Sequence, residues 1–483
     1  MRYVSTRGEA PALLFEGALL AGLASDGGLY MPETWPKLDA DTIAALAGLD
    51  YAEAAYQVMA PYLADDPALA DLKAVLEEAY ASFHHPAVAP LRQIAPGAWL
   101  LELFHGPTLA FKDLAMQVVA RLMNRALQRN GSRATVVGAT SGDTGAAAIE
   151  AFRGLDAVDV FILHPKGRVS DVQRRQMTTA MERNVHNIAV EGTFDDCQAL
   201  VKALFSDVRL RDSLDLTGVN SINWARILAQ IVYYFTAAVA LGAPYRPVAF
   251  TVPTGNFGDI FAGYAASRMG LPIARLVIAT NLNDSLARVF ATGIFEPRGV
   301  IATSSPSMDI QLASNFERLL FEIGGRKAQR VTGLMAELRA TGAFHLEGAE
   351  LDQLRHLFVA HSVGEHETEI TIRGLFEETG VLADPHTAVG VAAARQESIA
   401  APMIVLATAH PAKFPEAVER ATGRMPEQPE RLRLRLGQQE RCAFLPNDYR
   451  AVADFIKANA RAPVGNASVG GASVGDARVG AGV

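Results

Sequence analysis

The feature that most constrains this chain is a unit repeated along its middle: a short β-rich apolar run, a loop of small residues, then a helix. The runs fall at 99–104, 134–139, 158–163, 187–190, 248–252, 274–280 and 403–408, with helical stretches between them. Strands that alternate with helices of this length predict an α/β fold with a mostly parallel sheet covered on both faces.

Around this core the pattern changes three times. The first 80 or so residues read as small helices at 13–23, 41–46, 51–62 and 66–83, with a glycine loop at 25–32 between the first two. Pro86, Pro90, Pro96 and Pro107 then mark a boundary, so 1–85 is expected to form a small helical domain and 86–460 the main one. Residues 312–376 read as mostly helical, an insertion or second lobe. From Val464 the chain repeats Val-Gly-x-Ala-x without an aromatic residue, which predicts a disordered appendage over 461–483 with no catalytic role.

Composition removes several function classes. A net charge of −8 and a pI of about 5.8 argue against nucleic acid or an anionic membrane as the partner, so any anionic ligand must be held by local donors. Cys197 and Cys442 are too far apart in sequence for a disulfide framework or a thiolate metal site, which suits the cytoplasm. The uncharged window 227–245 reaches the length of a membrane span, but Gln230, Thr236, Gly242 and Pro244 within it predict a buried core helix instead. Glu9 and Glu16 interrupt any secretory h-region.

The loops that open helices are where chemistry is expected, because helix N-termini aim unpaired N–H groups at the crevice. In 104–113, Lys112 is a lone cation in an apolar stretch before a helix. Burial and the helix start would both favour its neutral amine, the form needed to condense with an aldehyde; the alternative is an ordinary solvent-exposed lysine. In 138–146, Ser141, Gly142, Asp143, Thr144 and Gly145 form a candidate cradle for a carboxylate or phosphate. It has neither P-loop nor dinucleotide spacing. In 251–259, Gly255, Asn256, Phe257, Gly258 and Asp259 suit a nest of N–H groups for a phosphate. In 406–414, Thr408 carries a hydroxyl out of a strand end. Asn220, Ser221, Asn223 and Arg226 make a polar patch before an apolar helix, either a grip on a phosphate or carboxylate or an N-cap with a solvated turn. His356, His361 and His366 recur every five residues and would be splayed around a helix, so no metal site is expected.

Taken in order, these segments resemble the threonine synthase family, fold-type-II enzymes that use pyridoxal 5'-phosphate. The resemblance rests on Asp26-Gly27-Gly28-Leu29-Tyr30-Met31-Pro32, the loops at 104–113, 140–145 and 255–259, Ser305-Pro306-Ser307-Met308-Asp309, Asp384-Pro385-His386-Thr387, and Thr408-Ala409-His410-Pro411-Ala412-Lys413. It covers the chain to about residue 460 and points to the longer bacterial and fungal branch. It implies two lobes of mostly parallel sheet and a carbon–oxygen lyase of threonine biosynthesis. The implied reaction converts O-phospho-L-homoserine and water to L-threonine and phosphate.

The roles follow by resemblance. Lys112 would hold the cofactor covalently and move protons, Gly255 to Asp259 would bind its phosphate, and Thr408 would face its ring nitrogen. Ser141 to Gly145 would take the substrate carboxylate. Asn220, Ser221, Asn223 and Arg226 would take the substrate phosphate. A monomer or homodimer is expected. The rivals are a related phospho-lyase that stops before water adds and a serine/threonine dehydratase, whose substrates lack the phosphate that the 220–226 patch would grip.

Overall fold

The computed structural model describes residues 1–140, 142–218 and 221–461. The tail expectation therefore lies outside the described residues for 462–483, as do the expectations for Ser141 and Asn220.

Two main sheets carry the expected strands. The larger has six strands in the order Phe358–Ser362, Ile273–Thr280, Val248–Pro253, Met403–Ala407, Ala98–Glu102, Leu91–Ala95. All its pairs are parallel except the last, where Leu91–Ala95 doubles back on Ala98–Glu102. The smaller has five parallel strands in the order Ala443–Leu445, Val185–Val190, Val158–Pro165, Ala134–Ala139, Leu216–Thr217. Every residue of Val158–Pro165 and Val248–Pro253 is buried, as a strand covered on both faces must be.

The helix Lys112–Arg129 joins the two sheets. Its sequence has no glycine or proline and is rich in Ala, Leu, Met, Gln and Arg, with Asp113 in the first turn and Arg129 in the last. It packs on the helix Trp224–Ala240, which is buried on nearly every side. That second helix contains most of the 227–245 window, so the core-helix expectation holds. Among the described residues no helix is long and apolar enough to cross a membrane.

The N-terminal segment supplies the helices Phe15–Ala21, Ala40–Ala44, Tyr51–Met59 and Leu69–Tyr80, which pack against that central pair. It also holds an antiparallel strand pair, Tyr3–Ser5 with Tyr30–Pro32, where a loop was expected. Asp26 pins it, accepting from Ser5 Oγ at 2.8 Å and from the N–H groups of Glu9, Ala10 and Gly28.

Two sequence expectations change. The stretch 312–376 is largely helical, but it also supplies Phe358–Ser362, an edge strand of the larger sheet. The three spaced histidines consequently share no helix: His356 ends Gly348–Leu357, His361 sits on the strand, and His366 opens Glu365–Thr379. His361 bonds Glu397 at 2.6 Å, and no group of metal-ligating side chains occurs among the described residues.

Candidate active site

Lys112 is the first residue of its helix and is 9% exposed. The loop before it is folded tightly onto Asp113, whose carboxylate accepts from Thr108 N and Thr108 Oγ1, both at 2.7 Å. A Cβ on Gly106 would lie 2.5 Å from Asp113 Cβ, so only glycine allows this approach. Phe111 N donates to the carbonyl of Thr408 at 2.8 Å, which ties the loop to the end of the strand Met403–Ala407. Thr408 itself is buried beside it.

Asp143, the first residue of the helix Asp143–Phe152, is the electrostatic hub. Its carboxylate lies 2.7 Å from Lys413 Nζ and 3.8 Å from Lys112 Nζ. It also accepts from Gln173 Nε2 at 2.9 Å and Ser307 Oγ at 3.2 Å. Burial opposes its ionisation, but Lys413 and Lys112 outweigh that and hold it far below the usual carboxylate range. For Lys112 the largest influence is burial, which lowers its pKa; Asp143 opposes this, while Lys413 and Arg226 push the same way as burial. The result is an amine biased toward its neutral form. Gly142 precedes this helix at φ +147°, and a Cβ there would meet the Gln173 amide at 2.3 Å. Gly145 N and Gly142 N both donate to Thr140 Oγ1.

The second glycine loop, Gly255 to Asp259, is built alike but charged differently. Phe257 takes φ +64° and starts the helix Gly258–Met269. The Asn256 carbonyl is held by Asn315 N and Nδ2, each at 3.1 Å. Among the described residues, the N–H groups of Asn256, Phe257 and Gly258 donate to no backbone acceptor outside the helix, which leaves them available to an anion. The Asp259 carboxylate turns away to the helix Trp224–Ala240, accepting from Tyr233 at 2.5 Å and Tyr234 at 3.0 Å. Burial pushes its pKa up to about 6 against those two hydroxyls. Both tyrosines bond Oδ1, while Oδ2 is buried with no hydrogen-bond partner among the described residues.

The polar patch divides. Asn223 is the N-cap of its helix: Oδ1 accepts from Ala225 N at 3.0 Å and Nδ2 donates to Leu19 O at 2.8 Å, so both ends of its amide are engaged. The Ser221 carbonyl accepts from Asn315 Nδ2. Arg226 is different. It is 4% exposed, and its Nε and Nη1 have no hydrogen-bond partner among the described residues. Burial lowers its pKa to about 10, and its charge reaches Lys112.

Lys413, Ser307, His386 and Asp384 were not singled out as site residues in the sequence. Lys413 is 1% exposed and also donates to Thr108 O at 2.9 Å. His386 Nδ1 bonds Asp384 at 2.7 Å, and its Nε2 accepts from Ser307 N at 3.2 Å, so an imidazole backs the residue that touches Asp143. Their signal in the sequence was membership of the motifs at 305–309, 384–387 and 408–413 that carry the family resemblance, which gave them no role.

The buried cluster of Lys112, Lys413 and Arg226 faces one fully ionised carboxylate, Asp143. An uncompensated buried guanidinium and a free turn of N–H groups call for an anionic ligand, and an amine whose ammonium form is disfavoured by burial suits an aldehyde. These residues fit pyridoxal phosphate. Profiles of known families match the chain in three stretches: "Threonine synthase N terminus" over 2–80, "Pyridoxal-phosphate dependent enzyme" over 86–408, and "Threonine synthase, C-terminal" over 387–456. The fold and site therefore define a fold-type-II pyridoxal-phosphate-dependent enzyme.

The relatives narrow the class. The chain is 54% identical to threonine synthase of Pseudomonas aeruginosa, over 94% of this chain and 98% of that one. Among solved structures it superposes on pyridoxal-phosphate-bound threonine synthase from Brucella melitensis with a TM-score of 0.94 at 55% identity, covering 96% of this chain and all of that one. The yeast enzyme gives 0.90 at 40% identity, over 95% and 98%. The chain belongs to the threonine synthase family.

Proposed function

We propose that the chain converts O-phospho-L-homoserine and water into L-threonine and inorganic phosphate, with Lys112 as its catalytic residue. One observation carries the substrate assignment: Arg226, buried and lacking partners on Nε and Nη1 among the described residues, stands within electrostatic reach of Lys112. A substrate with a leaving phosphate would supply the missing anion; a dehydratase substrate would not.

Lys112 would hold the cofactor covalently, the 255–258 turn would take its phosphate through N–H groups, and Thr408 would face its ring nitrogen. When bound, pyridoxal phosphate would supply an electron sink for the pair left on the amine-bearing carbon when its proton is removed. The chain's own residues do the rest. Lys112 Nζ, released as a free amine, takes the substrate's α-proton and then moves a β-proton. Burial, which lowers its pKa against the opposing effect of Asp143, disfavours the ammonium form in which it could not accept a proton. Asp143 and Lys413 set the field around it, and because Gly142 N and Gly145 N already donate to Thr140 Oγ1, the substrate carboxylate would go to the remaining N–H groups of this helix start, those of Asp143 and Thr144, with Ser141. Ser221, Asn223 and Arg226, with Asn220, would surround the substrate phosphate. Within that patch Arg226 holds the departing phosphate, because the Asn223 side chain is already bonded at both ends. Closure of one lobe would admit a single water for addition at the β-carbon.

Two further parts of this reading are that the chain works in the cytoplasm and as a monomer or homodimer; free Cys197 and Cys442 support the first. The test is to mix cofactor-loaded protein with O-phospho-L-homoserine and follow both products. Equal release of phosphate and threonine is expected. Phosphate without threonine would mean a phospho-lyase, and neither product would sink the assignment.

A further inference from the structure

Away from the cofactor cavity, a cleft of about 550 Å³ opens between the helices Lys112–Arg129, Asp143–Phe152 and Glu430–Leu436. Four guanidinium groups line it, those of Arg121, Arg153, Arg431 and Arg435, against the single carboxylate of Glu150. Glu150 is already shared: it accepts from Arg153 at 3.0 Å and from Arg435. Arg153 is further neutralised by Glu182 at 2.7 Å, whereas Arg121 has only Glu78 at 3.9 Å. Arg431 has no carboxylate within salt-bridge distance among the described residues and donates only to Ser82 O at 3.1 Å. Gln117, on the wall, is 2% exposed; its Oε1 accepts from Arg121 at 2.7 Å, while its Nε2 donates to nothing among the described residues.

An open cleft with an excess of guanidinium groups and an unpaired buried amide donor is short of one anion. Burial lowers the pKa of both Arg121 and Arg431, as expected of cations with too little negative charge around them. Forks of N–H donors converging from three helices suit a tetrahedral phosphate, with three acceptor oxygens, better than a planar carboxylate. We propose that this cleft is a second ligand site, distinct from the catalytic cavity, that takes a small phosphorylated molecule carrying at least two negative charges.

None of its lining side chains is used in the catalytic reading, so the two stand or fall separately. The cleft is nonetheless joined to the catalytic residues. Arg435 donates to Gln176 O at 3.1 Å, Gln176 Nε2 to Thr108 O at 3.1 Å, and Lys413 to that same carbonyl.

The test is calorimetric titration of cofactor-loaded Arg226→Gln protein with inorganic pyrophosphate, Arg226→Gln serving to silence the catalytic anion grip. Saturable binding to a single site is expected, with affinity reduced about tenfold or more in an added Arg431→Gln change. Leu434, at the rim and 63% exposed, provides a variant that removes no contact: Leu434→Glu should weaken binding by repulsion and leave the visible cofactor spectrum unchanged. Absence of saturable heat, or affinity unchanged from the parent in both variants, would overturn the proposal. Succinate binding as tightly as pyrophosphate would overturn the phosphate assignment.

Discussion

The two glycine loops of the candidate active site are alike in sequence pattern and opposites in electrostatics. Each follows a buried strand and opens a helix whose first turn carries an aspartate, Asp143 in one and Asp259 in the other. Asp143 meets the Nζ atoms of two lysines and stays ionised far below its usual range, whereas Asp259 meets two tyrosine hydroxyls and has its pKa pushed up to about 6. The acidity of an aspartate at a helix start is thus set by which side chains the rest of the fold brings to it. In this molecule the more acidic one lies beside Lys112, and the less acidic one is held by two tyrosines at the loop proposed to bind phosphate.

The largest expected effect removes what Asp143 serves. Lys112→Ala should lower kcat by about 10⁴-fold or more, as loss of a covalent catalytic group does elsewhere, measured as phosphate release from O-phospho-L-homoserine. Asp143→Asn comes next. It leaves Lys413 buried without its counter-ion and should cost about 3–5 kcal/mol of stability, read as a drop in Tm. Because Asp143 raises the pKa of Lys112, the variant's cofactor-free protein should capture pyridoxal phosphate with its pH midpoint shifted down. A shift upward would break the account of the first loop.

Arg226→Gln should lower kcat/KM by about ten- to a hundredfold, the worth of a hydrogen bond to a charged group, with the cofactor spectrum retained. Unchanged kinetics would move the phosphate grip elsewhere.

The smallest effect is at Asp259, and its sign is the sharpest test of the comparison. Its pKa rises from 3.8 to about 6 on folding, so the folded state binds the proton more tightly. The stability this contributes is full below about pH 4 and lost as pH rises through about 6, a span of about 3 kcal/mol at most. Asp259→Asn cannot titrate, so its Tm should gain on the parent between pH 5 and 7.5.

Much of this was legible in the sequence. The strand-loop-helix units, the glycines at 142, 145, 255 and 258, and the lysine at a helix start all follow from local pattern, because turns and helix starts are local events. Partners were not. Nothing within ten residues of Asp143 foretells Lys413, and nothing near Asp259 foretells Tyr233 and Tyr234, since these pairs form only when distant elements dock. Asn223 carried two readings in the sequence, and its contact with Leu19, on an N-terminal helix, decides how its amide is engaged. The missed strands have a shared cause: Leu216–Thr217 and Ala443–Leu445 are too short to show a period, and Phe358–Ser362 sits between helical stretches at a sheet edge.

The central claim is that the amine of residue 112 carries the cofactor. Reduction of the loaded protein with borohydride, digestion and mass spectrometry test it directly. The account predicts the reduced pyridoxyl group on the peptide containing Lys112 and on no other. Label on Lys413, the other buried lysine of the cavity, or no label at all, would contradict it.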